Sequence, residues 1–397
     1  MSSFKAIEPI DFPWFRYSDY TFSLGVATPA DAFISGHTAS VFDTQSQRMI
    51  VVGGMRDQIN VSYDKIEHIL EAAGMDLSDI TRIVENVTTK GLKFYAECEA
   101  VRLERLKGHR PTVTTVIVDA LLRPDAFVEI EVYATLGGGT ALRRGDDESW
   151  SRNTIIQGHD CSVFLPTLIP IDSNGDIVYE GDFVAQYGFC LERGAELLNQ
   201  VGLSLDNAVT TFDYSTPATR NVYGKTSRVR KELLGGSGVF PGAGGILMSQ
   251  LHTPGALVAI DLVASVHQLT AVNPGWSRYD TLSYTPGVIA GKTLYMSGFA
   301  SLDMQTQEAT NVGDIVAQAH STYEAIIEVL NAAGVGAEAL VNTVEYVVPS
   351  AMKEYRGVAQ VREKLLKKPW PSSTGAICNS LLRPEFLLEV FPLAVLP

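Results

Sequence analysis

Leu-Leu-Arg-Pro-Asp-Ala-Phe-Val-Glu-Ile-Glu-Val-Tyr-Ala occupies residues 121–134, and two later stretches answer it. Leu-His-Thr-Pro-Gly-Ala-Leu-Val-Ala-Ile-Asp-Leu-Val-Ala occupies 251–264, and Leu-Leu-Arg-Pro-Glu-Phe-Leu-Leu-Glu-Val-Phe-Pro-Leu-Ala occupies 381–394. Both intervals are 130 residues. Solenoids repeat every 20–50 residues or so, roughly one supersecondary unit, so this longer period marks a whole domain. The 397 residues therefore read as three copies of one unit, 1–140, 141–270 and 271–397.

The copies also align on Leu-Glu-Ala-Ala-Gly (70–74), Leu-Asn-Gln-Val-Gly (198–202) and Leu-Asn-Ala-Ala-Gly (330–334). An amphipathic helical stretch precedes each glycine, clearest from Asp314 to Ala333, and Gly74, Gly202 or Gly334 caps it. A β-rich run follows, such as Leu340 to Val348, then a second helical stretch, Phe94 to Lys107 in the first copy, then two β-like segments ending in the quoted stretch. Two more strands precede the first helix, exemplified by Ala32 to Ser35 and Met49 to Gly53. Each copy is predicted as ββαβαββ, an α+β unit with helices on one face of a sheet. Turn residues fill the junctions, Gly137 through Asp147 and Val272 to Gly275. A Trp-x-Arg opens every copy: Trp14 with Arg16, Trp150 with Arg152, Trp276 with Arg278.

Composition excludes several function classes. The chain is 46% apolar and 19% charged, with no stretch near the roughly 20 apolar residues of a membrane span. Met1 to Asp11 lacks the basic and apolar regions of a secretory signal, so a cytoplasmic protein is expected. Cys98, Cys161, Cys190 and Cys378 form no C-x-x-C pair and the seven histidines are scattered, so neither a metal nor another cofactor is expected. A net charge of −14 without basic runs argues against nucleic acid.

Phe-Ile-Ser-Gly-His (33–37), the Ala-Ala-Gly helix end, and Arg-Pro-Thr-Val-Thr-Thr (110–115) ahead of a Val-Glu-Ile-Glu strand together resemble the Rid family of reactive-intermediate deaminases, also called the YjgF family. The third copy repeats the pattern with Tyr-Met-Ser-Gly (295–298) and Leu-Glu-Val (388–390). The resemblance implies a chorismate-mutase-like fold, a trimer here fused into an intramolecular pseudo-trimer, a central barrel with helices outside, and ligand clefts between neighbouring copies. It also implies hydrolysis of enamines and imines to a keto compound and ammonia, with glutamate, serine, tyrosine and arginine in the site. The glutamate matches Glu129 and Glu389, the serine Ser35 and Ser297, and the tyrosine Tyr284; the second copy has Ala259 and Pro166, and the first has Phe22 for tyrosine. The arginine is missing from every copy, its place falling at Val113 or Thr114, Ala243 or Gly244, and Ser373 or Thr374. Thr114 and Thr374 are thereby candidate substrate contacts, and the lost guanidinium removes the usual bidentate carboxylate donor.

Comparison of the copies exposes another set. Glu85, Asp213 and Glu345 share one position; Tyr95, Tyr223 and Tyr355 follow ten residues on, and Arg102, Arg230 and Arg362 seven further. Seven residues is nearly two helical turns, so tyrosine and arginine share a face. Arg102, Arg230 and Arg362 are candidate carboxylate anchors, with Arg16, Arg152 and Arg278 as rivals; the structural alternative is a buried acid–arginine pair beside a packing tyrosine. His37 is a candidate proton shuttle, while Cys378 in its apolar strand reads as a core thiol.

The expected function is hydrolytic deamination of an enamine, imine or related nitrogen-containing catabolite in a cleft between copies. Glu129 or Glu389 would activate water, and Ser35, Ser297 and Tyr284 would position a small carboxylate or amide substrate. Two alternatives stand. One is a ring-opening amidohydrolase like the three-repeat barbiturase and cyanuric acid hydrolase group, although no lysine recurs across the copies. The other is a non-catalytic ligand-binding pseudo-trimer. Neither nucleic acid nor membrane is an expected partner; further oligomerisation is compatible with the reading.

Overall fold

A computed structural model describes residues 4–145 and 150–397. The end of the first junction, through Asp147, and the side chain of Trp150 lie outside the described residues.

In the first repeat, strands β1 (Gly25–Ala27) and β2 (Asp31–His37) are followed by helix α1 (Met55–Ala72), β3 (Ile80–Thr88), α2 (Tyr95–Leu106), β4 (Thr112–Val118) and β5 (Val128–Thr135). The second repeat gives β6 (Ile155–Gln157), β7 (Ser162–Phe164), α3 (Phe183–Asn199), β8 (Ala208–Ser215), α4 (Thr226–Leu233), β9 (Gly242–Leu247) and β10 (Val258–Ser265). The third gives β11 (Gly287–Ala290), β12 (Thr293–Met296), α5 (Ile315–Ala332), β13 (Leu340–Val347), α6 (Val358–Leu365), β14 (Ser372–Ile377) and β15 (Leu388–Val395). The expected ββαβαββ order is present three times. One strand was misplaced: residues 48–51 pair with 40–43 in a separate hairpin, and β1 takes the place expected for Met49 to Gly53. The ladder shifts register between Ile34 and His37, which carries the chain off the sheet edge and into that hairpin.

The helix ends follow from glycine. Gly74, Gly202 and Gly334 take φ near +80° (78°, 78° and 81°), which L side chains avoid. Beyond them, Met75, Leu203 and Val335 donate their N–H to the carbonyls of Leu70, Leu198 and Leu330, the closure that satisfies a helix's last carbonyls.

The quoted stretches form β5, β10 and β15, and period-two alternation divides their side chains. Val128, Ile130, Val132 and Ala134 enter the core beneath α1 and α2; Val258, Ile260, Leu262 and Ala264 do so beneath α3. The alternate residues point away from the helices. Glu131, Tyr133, Asp261, Val263, Phe391 and Leu393 line a cavity of about 120 Å3 into which all three sheets face. Both faces of each sheet are thus covered, which explains why the strands are so poor in exposed polar residues.

The sheets do not close into the expected hydrogen-bonded barrel. Residues 120–121 add to β14, and residues 380–381 add to β9, so the third and second sheets each borrow a two-residue strand. The first sheet has six strands, and β4 forms its edge. The equivalent residues 250–251 belong to no strand, so the ladder is interrupted between repeats 2 and 1. The two seams with an added strand carry glycine at one equivalent position, Gly245 and Gly375. A Cβ on Gly375 would lie 2.6 Å from Leu122 Cδ1, and one on Gly245 would lie 3.1 Å from Leu382 Cδ1, so both glycines permit close approach of the neighbour. The first repeat has Thr115 at that position, and its hydroxyl is bonded to Tyr95 at 2.7 Å. Among the described residues, no helix is long and apolar enough to cross a membrane.

Candidate functional site

The expected site residues are distributed over three seams. In seam 1/3, Glu129 and Ser35 of repeat 1 meet β14 of repeat 3. The Ser35 hydroxyl donates to the Ser23 carbonyl at 2.6 Å and accepts from Ser373 N–H at 2.8 Å. Thr374 Oγ1 accepts from Gly36 N–H at 3.0 Å and donates to Glu131. Glu129 is buried; burial, then the neighbouring Glu131, pushes its carboxyl up to about 8 against the pull of the Gly375 N–H.

Seam 3/2 repeats the pattern. The Ser297 hydroxyl donates to the Thr285 carbonyl at 2.5 Å and accepts from Ala243 N–H at 2.9 Å. Both serines are therefore engaged with backbone on their two sides and bridge neighbouring repeats. Neither hydroxyl is poised as a substrate contact.

Glu389 lies beside Gly298, whose Cβ, if present, would sit 2.5 Å from its Oε1. Burial pushes this carboxyl up to about 8. Burial raises the phenols of Tyr279 and Tyr284; Tyr284 adds to the shift of Tyr279, Arg278 opposes the shift in both, and Glu389 adds a smaller upward push. The Arg278 guanidinium lies 5.1 Å over the Tyr279 ring, and its Nη2 reaches the Tyr284 hydroxyl at 3.5 Å. Arg278 Nε is buried with no hydrogen-bond partner. A carboxyl, a phenol and an incompletely satisfied guanidinium thus gather at one seam. The absent family arginine has a physical counterpart here, because a Cβ on Gly244 would meet Phe391 Cε1 at 1.8 Å: the aromatic ring fills that space.

Seam 2/1 keeps none of these groups. Pro166 and Ala259 stand where serine and glutamate would be, and Thr114 bonds the Asp261 carboxylate at 3.3 Å, beside an ion pair between Arg82 and Asp261.

The arginine candidates separate cleanly. Arg102 Nη1 bonds both Glu85 oxygens at 2.7 Å, and Arg362 Nη1 bonds Glu345 at 2.7 Å. Tyr95 and Tyr355 donate to the same carboxylates at 3.0 and 2.5 Å. Arg230 donates instead to Tyr187 (3.0 Å), Thr211 (2.6 Å) and the Ser283 carbonyl (3.3 Å), while Asp213, one methylene shorter, holds Tyr223 at 2.7 Å. The repeated acid, tyrosine and arginine are an internal brace between helix and sheet, not a substrate cradle. Arg16 projects into solvent and pairs with Asp19 at 3.2 Å. His37 is buried, and burial followed by the Lys65 cation pushes its ring down to about 3, so it remains neutral and is no shuttle at physiological pH. Cys378 is a buried thiol bonded to the Val347 carbonyl, as a core residue should be.

Sequence reading missed the polar contact on the threefold axis. Ser249 donates its N–H to Asp119 at 3.2 Å and its hydroxyl to the same carboxylate, and Asn379 Nδ2 reaches Ser249 Oγ at 3.0 Å. The signal was available, since the three residues are themselves 130 apart.

Comparisons with known proteins agree with this architecture. The family model described as endoribonuclease L-PSP matches residues 17–136 and 278–396, well over half the chain, and leaves the second repeat unmatched. A chorismatase crystal structure is 14% identical and superposes with a TM-score of 0.50, covering 80% of this chain and 93% of that one. Rv2704 of Mycobacterium tuberculosis, of the YjgF/YER057c/UK114 family, is 23% identical, with a TM-score of 0.28, and covers 32% of this chain and 99% of its own. Escherichia coli TdcF with bound serine is 25% identical, with a TM-score of 0.28, over 33% and 98%. The comparison with curated proteins gave no match.

Proposed function

We propose, on the premise that this chain belongs to the endoribonuclease L-PSP family, the family also called Rid or YjgF, that it is a small-molecule hydrolase. It deaminates an enamine or imine bearing a carboxylate, in the seam between repeats 3 and 2. The observation carrying this reading is the buried Glu389 carboxyl in the seam that also holds Arg278, both groups acting on the Tyr284 phenol.

The chemistry follows from the protonation state. A carboxyl near 8 carries its proton at neutral pH. Glu389 donates that proton to the β-carbon of an enamine; the C=C pair forms the new C–H bond and leaves a C=N iminium. The carboxylate then takes a proton from water as its oxygen bonds the iminium carbon. Collapse breaks the C–N bond and returns a proton to nitrogen, so that enamine plus water gives ketone plus ammonia. Arg278 anchors the substrate carboxylate, and Tyr284 positions that guanidinium through its hydroxyl. Glu129 offers a second buried acid in seam 1/3, where Arg123 and Lys65 draw its carboxyl down against burial and Glu131; Lys65 is spent on backbone carbonyls, and Arg123 reaches the Tyr20 hydroxyl at 3.4 Å.

The ring-opening alternative draws no support from the buried lysine of repeat 1, since Lys65 spends its ammonium on the Thr38 and Ser40 carbonyls. The test is ammonia release from a panel of imino acids and aminomuconate-like compounds. Glu389→Gln should lower kcat at least 100-fold, and Arg278→Gln should chiefly raise KM. Absence of release above the Glu389→Gln background across the panel would leave the non-catalytic binding reading in its place.

A further inference from the structure

The brace ties helix to sheet within a repeat, and its arginine also crosses to the next one. Arg362, on α6 of repeat 3, spends Nη1 on Glu345 and points Nε into seam 1/3, where it donates to the Thr21 hydroxyl at 3.2 Å. Arg230, on α4 of repeat 2, crosses seam 3/2 in the same way: its Nε donates to the Ser283 carbonyl at 3.3 Å. Thr21 and Ser283 occupy one position, and each precedes the place of the family tyrosine, filled by Phe22 in repeat 1 and by Tyr284 in repeat 3. Of the two crossings, the second lands beside a phenol that meets the Arg278 guanidinium.

The backbone it grips needs holding. Residues 281–285 form neither helix nor strand, so no ladder fixes them. Thr285 is tied to repeat 2 through its N–H on the Pro241 carbonyl at 3.3 Å and its hydroxyl on the Phe240 carbonyl at 2.8 Å. Arg230 supplies a tie on the other side of Tyr284. Ser283 is buried and Tyr284 half-buried, so the grip lies beneath the phenol. The arginine is itself anchored on regular elements, its Nη1 bonding Tyr187 of α3 at 3.0 Å and Thr211 of β8 at 2.6 Å. A planar guanidinium fixed at one end has little freedom at Nε. Asp213, one methylene short, bonds Tyr223 instead and takes no direct bond from this cation. Electrostatics agree with the proximity: burial raises the Tyr284 phenol, Arg278 opposes the shift, and Arg230 adds a smaller downward pull.

We infer that Arg230 is a positioning residue of seam 3/2: a side chain of repeat 2 that fixes the Ser283–Tyr284 backbone of repeat 3 and, through Tyr284, sets where Arg278 meets a substrate carboxylate. It acts through Tyr284 and not on substrate. The effect on substrate rests on the hydrolase reading, whereas the grip on residues 283–284 does not. Repeat 2, which lacks the glutamate and serine of its neighbours, thereby keeps a part in the site of repeat 3.

Arg230→Met and the milder Arg230→Lys test it in the full chain, with Arg362→Met, the same crossing in the other seam, as control. In ammonia release, Arg230→Met should raise KM about five- to tenfold, the size of one lost hydrogen bond, with little change in kcat. Arg230→Lys should fall between it and the wild type. Mere loss of folded protein would do the reverse, lowering kcat at constant KM. Two readouts need no substrate. Amide exchange over residues 281–285 should quicken in both Arg230 variants, and the Tyr284 Cζ resonance, assigned by its loss in Tyr284→Phe, should shift. Arg362→Met should leave KM, that exchange and that resonance as in the wild type. Because exchange and resonance are read on the free chain, they decide the grip even if no compound of the panel releases ammonia. Unchanged exchange and resonance in the folded Arg230 variants, an unchanged KM for a compound that is turned over, or equal changes in Arg362→Met would each overturn the proposal.

Discussion

Glu129 and Glu389 keep a proton in the fold that the unfolded chain gives up. The ordinary glutamate value is 4.5, and burial raises both to about 8. Between those values the native state binds more protons than the unfolded state, so stability falls as pH rises through the window and is fullest below it. Replacing both with glutamine should flatten the decline of Tm between about pH 4.5 and 8, and a double variant retaining the wild-type slope would contradict the assignment. The same value bears on turnover. If Glu389 donates the first proton, kcat/KM for ammonia release should fall as pH rises through about 8, with no matching loss in an assay of substrate binding alone.

Helix and strand carry the acid, tyrosine and arginine as a brace, and the three copies differ in how tightly it is made. Arg362 is held by Glu345, so Arg362→Met strands a buried carboxylate and should cost about 3–5 kcal/mol in urea denaturation. Arg230 makes hydrogen bonds to neutral partners in place of a direct bond to Asp213, so Arg230→Met should cost less, about 1–3 kcal/mol. The sequence showed this set because its spacing repeats, and the glycine caps and alternating strands because both are local patterns. It could not show how the equivalent arginines part ways: Arg16 and Arg278 occupy equivalent places in the chain, yet one pairs with Asp19 in water and the other stacks on Tyr279. The residue that differs between the two places is Tyr284, for which the first repeat has Phe22, while Tyr279 has Tyr17 as its counterpart. Nor could it show that Thr115 lies opposite residues 250–252, a contact made only when separate domains assemble.

At the scale of the whole molecule, the interrupted ladder ranks the three seams. β14 is covered by residues 120–121 and bonded by Ser35, whereas β4 is an edge without either device. Amide hydrogen exchange should therefore be faster along 112–118 than along 372–377, and Thr115→Gly should narrow the difference. Equal protection of the two strands would show that the missing ladder has no mechanical effect.

The position of that weakest seam has a consequence for assembly. Repeats 1 and 2 are joined by a short stretch of backbone, residues 136–154, and its strand 140–143 is itself woven into the second sheet against β6. A tether of this length holds the two partners at high effective concentration whatever their contact affinity. Repeats 1 and 3 have no such direct link, and there the ring relies on the Ser35 bridge, the Thr374 contacts and the added strand. The chain has thus relaxed the contact that covalent connection makes dispensable, and the slack released there is the empty volume between repeats 2 and 1.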